Sequence, residues 1–530
     1  MLKLNKHLLH HFFGDISAAA AYMHSAARLV DGRTLHSLLD VPLPHQPRRQ
    51  RTQAKLHSFW ASHHALRIDE LSMISAPLFS LAERAARHAT QRPADPWGGL
   101  LLDLSGDVHQ LPPIDEPSLF ATPSTEDHLL EASRGATIYR QISNCVILDY
   151  CHRCQGSLAR ILDEMVHSNR LSDNSWLSLQ QRCISHPSAS TARRQHQQDT
   201  FLDRSCPVGI LRHRARVAAS LQRELQFAAV AGERLLLSIA ADRVFDSSSL
   251  SSFGLSNYHQ LLDVPSLNTT KNLPGVLALY PGMTLLLEDK LCPALGLVRG
   301  CPCKLLQILT NPREPTWHSA DATSPHPLEF VPDGLLLEIP GATWVKESSL
   351  GPGRFFLPAT RRTWSYSFTE PSADARPRRV HFQIERLQLP VVNDSALTVY
   401  ALQGRTVPHL IVDLQRPPGM SRAPRLLLTH FLFLHFFLCF FLNLLSPKDE
   451  FWISLFVLLS RAPSLEALLC LRLPPREAFA GGPPANMLAE MQRLRVLEHS
   501  TLLRLHGLLQ LWQLPDAIRL VTEPLLATYP

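Results

Sequence analysis

The chain has 530 residues, of which 45% are hydrophobic and 18% are charged, and this balance excludes a wholly disordered chain. At about 150 residues per domain the length predicts roughly three domains, and 41 prolines predict several irregular connections. The net charge of +6 permits an anionic partner without requiring one. Ten scattered cysteines and the lack of an opening secretory signal favour a reduced intracellular compartment over an oxidising one.

Two adjacent carboxylates follow the first apolar run that predicts a buried strand. The sequence LRIDELSM at residues 66–73 places Asp69 and Glu70 where this strand ends. Such a pair can hold Mg²⁺ on one carboxylate and orient a water molecule with the other. The pair alone is also compatible with an exposed acidic turn.

A second strand with a polar end follows a predicted helix at residues 78–88. The run Leu100–Leu104 is apolar except for Asp103 and predicts another buried strand. The polar residues beyond it are Ser105, Gly106, Asp107 and Gln110. Because parallel strands deliver their carboxyl ends to one edge of a sheet, the two segments predict a nucleotide site at that edge.

These two segments resemble motifs II and III of the Pif family of superfamily-one DNA helicases. The residues DELSM at 69–73 and GDVHQLPP at 106–113 match the family patterns almost residue for residue. The resemblance implies an ATP-dependent DNA helicase that requires Mg²⁺. It also implies an α/β fold, with two RecA-like parallel-sheet domains (the first one incomplete here) and a small inserted β-barrel-like domain.

The resemblance assigns a role to each polar residue at the two strand ends. Asp69 would hold Mg²⁺, Glu70 would position the attacking water, and Gln110 would sense the γ-phosphate of ATP. Gly106 and Asp107 would contact the nucleotide.

Upstream, the sequence AARLVDGRTLHS at residues 26–37 resembles the family's motif Ia, which helps to contact single-stranded DNA. On this match Thr34 and His36 are DNA-binding residues. In the family a glycine-rich loop ending in Gly-Lys-Ser/Thr comes before this motif, and its backbone N–H groups cradle phosphates. None of the 23 glycines here is followed by lysine. We therefore expect an N-terminally truncated helicase that lacks the opening strand and the phosphate-binding loop.

The middle of the chain begins with residues 146–183, which open like a strand and continue with apolar residues at helical spacing, from Leu158 to Met165. The segment resembles the family's motif IV, and on this match Arg153 is a catalytic residue that reaches toward ATP. A surface arginine before a helix is the alternative. Farther on, residues 210–246 predict a strand, a helix and another short strand.

Residues 279–309 resemble a small barrel-like β region that the family inserts into its second RecA-like domain. The matching glycines Gly282, Gly296 and Gly300 predict tight turns with φ > 0. Cys303 stands where the family has a turn glycine, so we expect that turn to be distorted. Downstream, a tryptophan among arginines predicts either a basic face that stacks bases or an ordinary solvated edge. These residues are Arg361, Arg362, Trp364, Arg378 and Arg379.

Residues 387–414 resemble the family's motif V, with matches at Thr398, Gln403 and Gly404. The resemblance implies a DNA contact for Thr398, a catalytic role for Gln403 and a nucleotide contact for Gly404. The apolar run Leu410–Leu414 predicts the next buried strand.

Residues 455–471 resemble motif VI, and Arg461 would be the arginine finger that stabilises charge on the γ-phosphate. Between motifs V and VI, residues 426–445 are apolar and long enough to span a bilayer. This run interrupts the link between two strands of one predicted domain. We therefore favour a foreign insert, such as translated non-coding sequence, and do not expect a membrane partner.

Two close cysteine pairs, Cys151 with Cys154 and Cys301 with Cys303, could each be half of a metal site. No partner pair is evident, so ordinary thiols are the favoured interpretation. Residues 487–512 predict an amphipathic helix that packs on the protein.

The predicted domains follow the motifs. They are a partial first RecA-like domain at 1–145, the start of the second with a flexible linker at 146–275, the inserted β region at 276–385, the rest of the second domain at 386–475, and a helical tail at 476–530. The implied function is unwinding of single-stranded or forked DNA substrates in repair, recombination or telomere maintenance, in the nucleus or a mitochondrion, impaired here by the missing loop. The alternative is a catalytically dead remnant, such as a transposon-derived one, that at most binds single-stranded DNA. A membrane-anchored protein is a third interpretation.

Overall fold

A computed structural model describes residues 14, 16–41, 53–114, 116–120, 130–184, 203–204, 206–211, 213–245, 255–264, 267–315, 324–345, 349–370, 378–415 and 447–511. The strands are β1 (Ser17–Ala21), β2 (Arg33–Thr34), β3 (Ala65–Asp69), β4 (Leu101–Leu104), β5 (Val208–Ile210), β6 (Leu236–Ile239), β7 (Ala241–Val244), β8 (Val276–Leu279), β9 (Thr284–Leu287), β10 (Pro302–Leu309), β11 (His326–Pro327), β12 (Gly334–Glu338), β13 (Arg354–Pro358), β14 (Thr360–Glu370), β15 (Arg378–Gln388), β16 (Val391–Asn393), β17 (Ala396–Thr398), β18 (Leu410–Asp413) and β19 (Leu468–Arg472). The helices are α1 (His24–Leu29), α2 (Leu35–Leu39), α3 (Gln53–Ala61), α4 (Ala76–Ala89), α5 (Leu130–Arg140), α6 (Gly156–His167), α7 (Asp173–Gln180), α8 (His213–Ala231), α9 (Leu255–Leu262), α10 (Val399–Leu402), α11 (Pro447–Leu459) and α12 (Ala485–Leu511).

The chain forms two compact units. The first contains Met1–Trp176, Pro418–Ser460 and Pro475–Pro530, and the second contains Leu177–Pro417 and Arg461–Pro474. These limits differ from the predicted domains, since residues 146–176 and the C-terminal helix α12 both belong to the first unit. One contact that holds α12 there is the bond from the Tyr139 hydroxyl on α5 to Glu490 Oε1, at 2.8 Å.

The first unit is built on a parallel sheet in the order β2-β1-β3-β4. All five residues of β1, with the sequence SAAAA, are buried, as expected for a central parallel strand. The predicted helix at 78–88 is confirmed as α4, which Ser75 caps by accepting the Leu78 N–H at 3.2 Å. The predicted α/β class with parallel sheets is also confirmed.

The burial predicted for the Leu100–Leu104 strand is wrong. β4 pairs in parallel with β3 as expected, but it is the edge strand among the described strands of this sheet. Leu101 is 61% exposed, although a run of leucines is typical of a buried strand.

The strand predicted to begin at Val146 is absent from the described residues, since 142–150 have no regular secondary structure. Side chains of α12 take the place of a neighbouring strand. Cys145 N donates to Thr501 Oγ1 at 3.0 Å, and Ile147 N donates to Glu498 Oε1 at 2.5 Å.

The second unit contains another parallel sheet, in the order β17-β5-β18-β19. The predicted strand at 410–414 is β18, whose apolar residues are all buried. The strand, helix and strand predicted within 210–246 are β5, α8 and β6, and β7 follows.

The remaining strands of this unit form the antiparallel sheet β13-β12-β10-β9-β16 and two three-stranded sheets, β11-β6-β8 and β14-β15-β7. Closure of the inserted β region into a barrel is not confirmed. Gly282, Gly296 and Gly300 have φ of 88°, 75° and 80°, as the turn prediction requires. The turn distortion expected at Cys303 is wrong, because Cys303 is a buried residue of β10 paired with Leu285 of β9.

The base-stacking role considered for Trp364 is also wrong. Its side chain is 2% exposed, and the guanidinium of Arg386 lies over its ring at 5.2 Å. Arg386 is held in turn by two 2.7 Å bonds to the Asp242 carboxylate. Trp364 is therefore a core residue.

Among the described residues, no helix is long and apolar enough to cross a membrane. The apolar run at 426–445 lies outside the described residues.

A buried carboxylate in α8 gives the second unit a pH-dependent stability. Burial raises the pKa of Glu224 to about 7, although Arg204 Nη2 lies 3.9 Å from its Oε2 and Arg223 is also close. Burial likewise raises the pKa of the neighbouring Asp394 to about 6. Both carboxyl groups therefore bind protons more tightly in the folded than in the unfolded chain.

We expect the free energy of unfolding to fall as the pH rises from about 4.5 to 7. The stability linked to the raised pKa of Glu224 is fully present below the pKa that Glu224 has in the unfolded chain. It is lost as the pH rises through the pKa that Glu224 has in the folded chain. Glu224→Gln should flatten this dependence and stabilise the chain above pH 7 by at most about 3 kcal/mol. Urea unfolding across pH measures it, with the exposed Glu233→Gln as control. Equal pH profiles for the two variants would refute the assignment.

Candidate functional site

The carboxyl ends of the four parallel strands of the first unit gather several of the predicted site residues at one edge of the sheet. Thr34 ends β2 and Asp69 ends β3, and the register pairs both with Ala21 of β1, the strand between them. Ser105 follows the last residue of β4. The parallel topology therefore collects side chains that lie far apart in sequence.

Asp69 is fixed by a hydrogen bond from the next strand. Ser105 Oγ donates to Asp69 Oδ1 at 2.6 Å, while Ser105 N donates to Ile68 O at 2.9 Å. Leu71 N closes the set with a 3.1 Å bond to Ser105 O. These bonds fix the direction of the Asp69 carboxylate relative to both strands.

Glu70 has a left-handed backbone, with φ 55° and ψ 50°. A non-glycine residue in this region is strained by about 1–3 kcal/mol, and such strain is concentrated at functional sites. The turn ends β3 and turns the chain into the short 3-10 helix Leu71–Met73.

Gly106 lies against the turn after β3. A Cβ at this position would lie 2.7 Å from Leu71 N and 2.9 Å from Leu71 Cβ. Only glycine allows the two strand ends to approach this closely, which explains the residue in physical terms.

Asp107 organises the residues that follow. Its Oδ1 accepts the His109 N–H at 2.9 Å, and its Oδ2 accepts from Gln110 Nε2 at 3.3 Å. Burial opposes ionisation, but the bonds from His109 and Gln110 outweigh it and hold the pKa of Asp107 below its usual value. Asp107 is therefore an anion that orients its neighbours.

Gln110 Oε1 is buried and accepts no hydrogen bond from a described residue, and the same holds for His109 Nε2. The His109 ring lies 5.7 Å from that of Phe456 on α11. Sequence reasoning missed His109, because it occupies a variable position of the motif.

The donor set fits Mg²⁺ of the kind that is held mainly through phosphates. No cluster of three or more His, Cys, Asp or Glu side chains that could hold a metal occurs in the part of the chain that the structure describes. Asp69 supplies a carboxylate with one oxygen bonded to Ser105. Mg²⁺ is usually bound by one or two carboxylates together with substrate phosphates and water.

The motif Ia residues lie at the same edge of the sheet. Thr34 is 8% exposed and precedes α2. The His36 ring lies 6.3 Å from the Tyr22 ring. Burial lowers the pKa of His36, and the nearby Glu116 opposes this shift. Tyr22 and Glu116 are neighbours that the sequence did not indicate, since they lie outside the matched pattern.

Arg153 is half-buried in the irregular segment before α6. No hydrogen bond or ion pair between described residues joins it to Asp69, Asp107 or Gln110. Hydrogen bonds and close packing in the first unit thus link the segment of Asp69 and Glu70 to that of Gly106, Asp107 and Gln110, and no such bond between described residues includes Arg153.

The predicted residues of motifs V and VI lie in the second unit. Thr398 caps α10 by accepting the Ala401 N–H at 3.4 Å, and Gln403 is 2% exposed. Gly404 has φ 75°. Arg461 is buried, and its carbonyl accepts the Val407 N–H at 3.1 Å, which ties motif VI to the end of motif V.

A family model described as PIF1-like helicase matches residues 9–125, which include the Asp69 and Gly106 segments. The ATP-dependent DNA helicase PIF1 of Emericella nidulans is 34% identical over 107 residues, which cover 19% of this chain and 14% of that protein. The PIF1 helicase of Mus musculus is 32% identical over 120 residues, covering 21% and 18%. Residues 9–125 of the chain are therefore similar to PIF1-like helicases.

Solved structures extend the similarity in fold beyond the matched segment. Pif1 helicase from Candida albicans has a TM-score of 0.55 at 15% identity, covering 93% of this chain and 92% of that one. Pif1 from Bacteroides in complex with ADP-AlF3 and ssDNA has a TM-score of 0.53 at 15% identity, covering 93% and 90%. At 15% identity these similarities show a shared α/β fold, in which this chain has two parallel sheets. The alignments to the two PIF1 helicases named above span less than a fifth of either protein.

Replacement of Gly106 by alanine should disturb the packing of the β3 and β4 strand ends. The added Cβ meets backbone atoms of Leu71 that cannot rotate away, so we expect a loss of about 1–3 kcal/mol in the free energy of unfolding. Chemical denaturation measures it. Gly507→Ala is the control, because nothing lies within 4 Å of its added Cβ in helix α12 and alanine should stabilise that helix by about 0.5–1 kcal/mol. Equal stability of the two variants would contradict the packing argument.

Proposed function

We propose that the chain binds Mg²⁺ with ATP at the carboxyl ends of β3 and β4, binds single-stranded DNA, and hydrolyses ATP poorly. The observation that supports this most is the Ser105–Asp69 bond, which fixes a carboxylate beside Glu70 and Gln110 at one sheet edge. Metal-assisted phosphoryl transfer uses one carboxylate for Mg²⁺ and another polar group for the water. The similarity of residues 9–125 to PIF1-like helicases supports hydrolysis of ATP as the class of reaction.

Three residues at the strand ends have separate roles in the proposed reaction. Asp69 holds Mg²⁺, which supplies charge neutralisation on the phosphates when bound. Glu70, turned out of the strand by its left-handed backbone, orients the attacking water. The amide nitrogen of Gln110 donates to Asp107, and its oxygen accepts no bond from a described residue. Gln110 senses the γ-phosphate, because that oxygen can accept a hydrogen bond from a water molecule beside the phosphate.

The remaining assignments rest on the resemblance. Arg461 is proposed to neutralise charge on the γ-phosphate, and Arg153, Gln403 and Gly404 to contact the nucleotide. Thr34, His36 and Thr398 are proposed DNA contacts. Action in repair, recombination or telomere maintenance, and a nuclear or mitochondrial location, stay predictions.

Poor hydrolysis follows from the chemistry that a phosphate-binding loop performs. No Gly-Lys pair occurs in the 530 residues, so they contain no loop of this type to hold the β- and γ-phosphates. Positioning and charge stabilisation supply nearly all of the rate in phosphoryl transfer, and an arginine finger alone contributes about 10³–10⁵-fold. Loss of the lysine and the amide cradle should lower the rate by at least a comparable factor.

We predict that the 530-residue chain hydrolyses ATP negligibly, with or without DNA, in a phosphate-release assay. Adding a strand and a Gly-Lys-Thr loop ahead of Ser17 should raise turnover, and Glu70→Gln should then abolish it. DNA-stimulated turnover by the unmodified chain, lost on Glu70→Gln, would contradict the proposal. A well-folded graft without turnover would favour the alternative, a catalytically dead remnant.

We also predict that single-stranded DNA binds in a salt-dependent manner, because neutralised phosphates release counterions. Affinity in a fluorescence-anisotropy titration should fall at least about tenfold between about 50 and 200 mM salt. His36→Ala should weaken binding, whereas His499→Ala, an exposed histidine on α12, should not. Absent binding at low salt, or binding unaffected by salt, would sink the DNA assignment.

A further inference from the structure

Two cysteines flank a bend of the chain immediately before helix α6. In the sequence Cys151-His152-Arg153-Cys154, the backbone N–H of Cys154 donates to Cys151 Sγ at 3.4 Å. The sulfur of Cys151 therefore already lies beside the backbone of Cys154. A disulfide requires Cα atoms within about 6.8 Å, and the bend at residues 152–154 brings the two cysteines toward each other.

The two thiols have different surroundings. Cys151 is exposed, whereas Cys154 is 3% exposed and its Sγ donates to Ser460 O at 3.6 Å. Solvent oxidants reach the first sulfur and not the second. An exposed attacking thiol next to a shielded resolving thiol is the arrangement found in redox-responsive cysteine pairs.

We propose that Cys151 and Cys154 are a peroxide-responsive dithiol that forms an intramolecular disulfide. The Cys151 thiolate attacks hydrogen peroxide, giving a sulfenic acid and hydroxide, which takes up a proton to become water. The Cys154 sulfur then attacks the sulfenic sulfur, and the S–O bond breaks as water leaves with the Cys154 proton. Two thiols lose two electrons in total, and one peroxide gains them.

Oxidation has a structural consequence at helix α11. The Cys154 thiol can no longer donate to Ser460 O once its hydrogen is lost, and Ser460 N is bonded to Phe456 O in the last turn of that helix. The disulfide also encloses Arg153 in a small ring. If the proposed function holds, both changes affect residues of motifs IV and VI, since Arg461 follows Ser460 in the chain.

Peptide mapping of the full chain tests the disulfide directly. Trypsin cleaves after Arg153, so the reduced cysteines separate into peptides 141–153 and 154–160, whereas the disulfide keeps these joined. After hydrogen peroxide and blocking of free thiols, the joined pair should predominate and should disappear with dithiothreitol. Cys145 lies in the same peptide as Cys151, so the experiment is run with Cys145→Ser. Loss of the joined pair in Cys151→Ser is expected as well.

Other cysteines of the chain serve as internal controls. Cys183 and Cys470 face each other across a β-bridge, but both are buried. Cys301 and Cys303 are also buried. A joined pair of the peptides that contain Cys183 and Cys470, or a peptide 300–304 lighter by two hydrogens, in preference to the Cys151–Cys154 pair would overturn the proposal. Sulfinic acid at Cys151 without any disulfide would overturn it as well.

Hydrogen exchange gives a readout that is independent of ATP turnover. Peptides that cover residues 456–461 should exchange about two- to fivefold faster in the oxidised chain, as expected for loss of one weak hydrogen bond. Cys151→Ser should show no change on peroxide treatment. Equal exchange in oxidised and reduced chains would refute the link to Ser460, whatever the result for catalysis.

Discussion

The hydrogen bond from Ser105 to Asp69 is the interaction on which the candidate site depends. A carboxylate at the end of a strand can rotate freely, and Ser105 restricts that rotation by binding one oxygen at 2.6 Å. The same serine bonds Ile68 and Leu71 through its backbone. Gly106 then makes the close approach of the two strand ends sterically possible. The strand ends of β3 and β4 therefore act as one rigid element.

In the proposed function this arrangement provides one part of a nucleotide site. A single fixed carboxylate holds Mg²⁺ weakly by itself, because the ion needs phosphate oxygens and water to complete its octahedral coordination. Affinity for metal and for nucleotide is therefore coupled in the proposal. A Gly-Lys loop would neutralise charge on the phosphates. The 530 residues contain no such loop. The proposal thus combines a carboxylate fixed for metal binding with weakened positioning of the phosphates.

The sequence indicated which residues lie together at the strand ends better than it indicated the surrounding fold. Motif spacing identified Asp69, Gly106 and Gln110, because parallel strands place such residues at one edge. Apolar runs do not distinguish a central strand from an edge strand, so the exposure of β4 was mispredicted. The segment at Val146 resembles a strand locally, but its hydrogen-bond partners are side chains of α12, more than 340 residues away.

Tertiary contacts also explain what the sequence did not indicate. Trp364 among arginines looked like a base-stacking surface, yet Arg386, paired with the buried Asp242, covers its ring. Cys303 looked like a substituted turn residue and is a strand residue instead. Tyr22, Glu116 and His109 join the site region through folding alone, and no spacing pattern marks them.

The most direct test of the account is the magnesium dependence of nucleotide binding, measured by isothermal titration calorimetry with ADP. We expect weak binding that requires Mg²⁺ and that Asp69→Asn weakens by about tenfold or more, since a charged ligand of the ion is lost. Asp95→Asn, a substitution in a surface ion pair with Arg92, should bind as the unmodified chain does. Absence of binding, or binding that neither Mg²⁺ nor Asp69→Asn changes, would contradict the proposal that Asp69 holds Mg²⁺ together with a nucleotide.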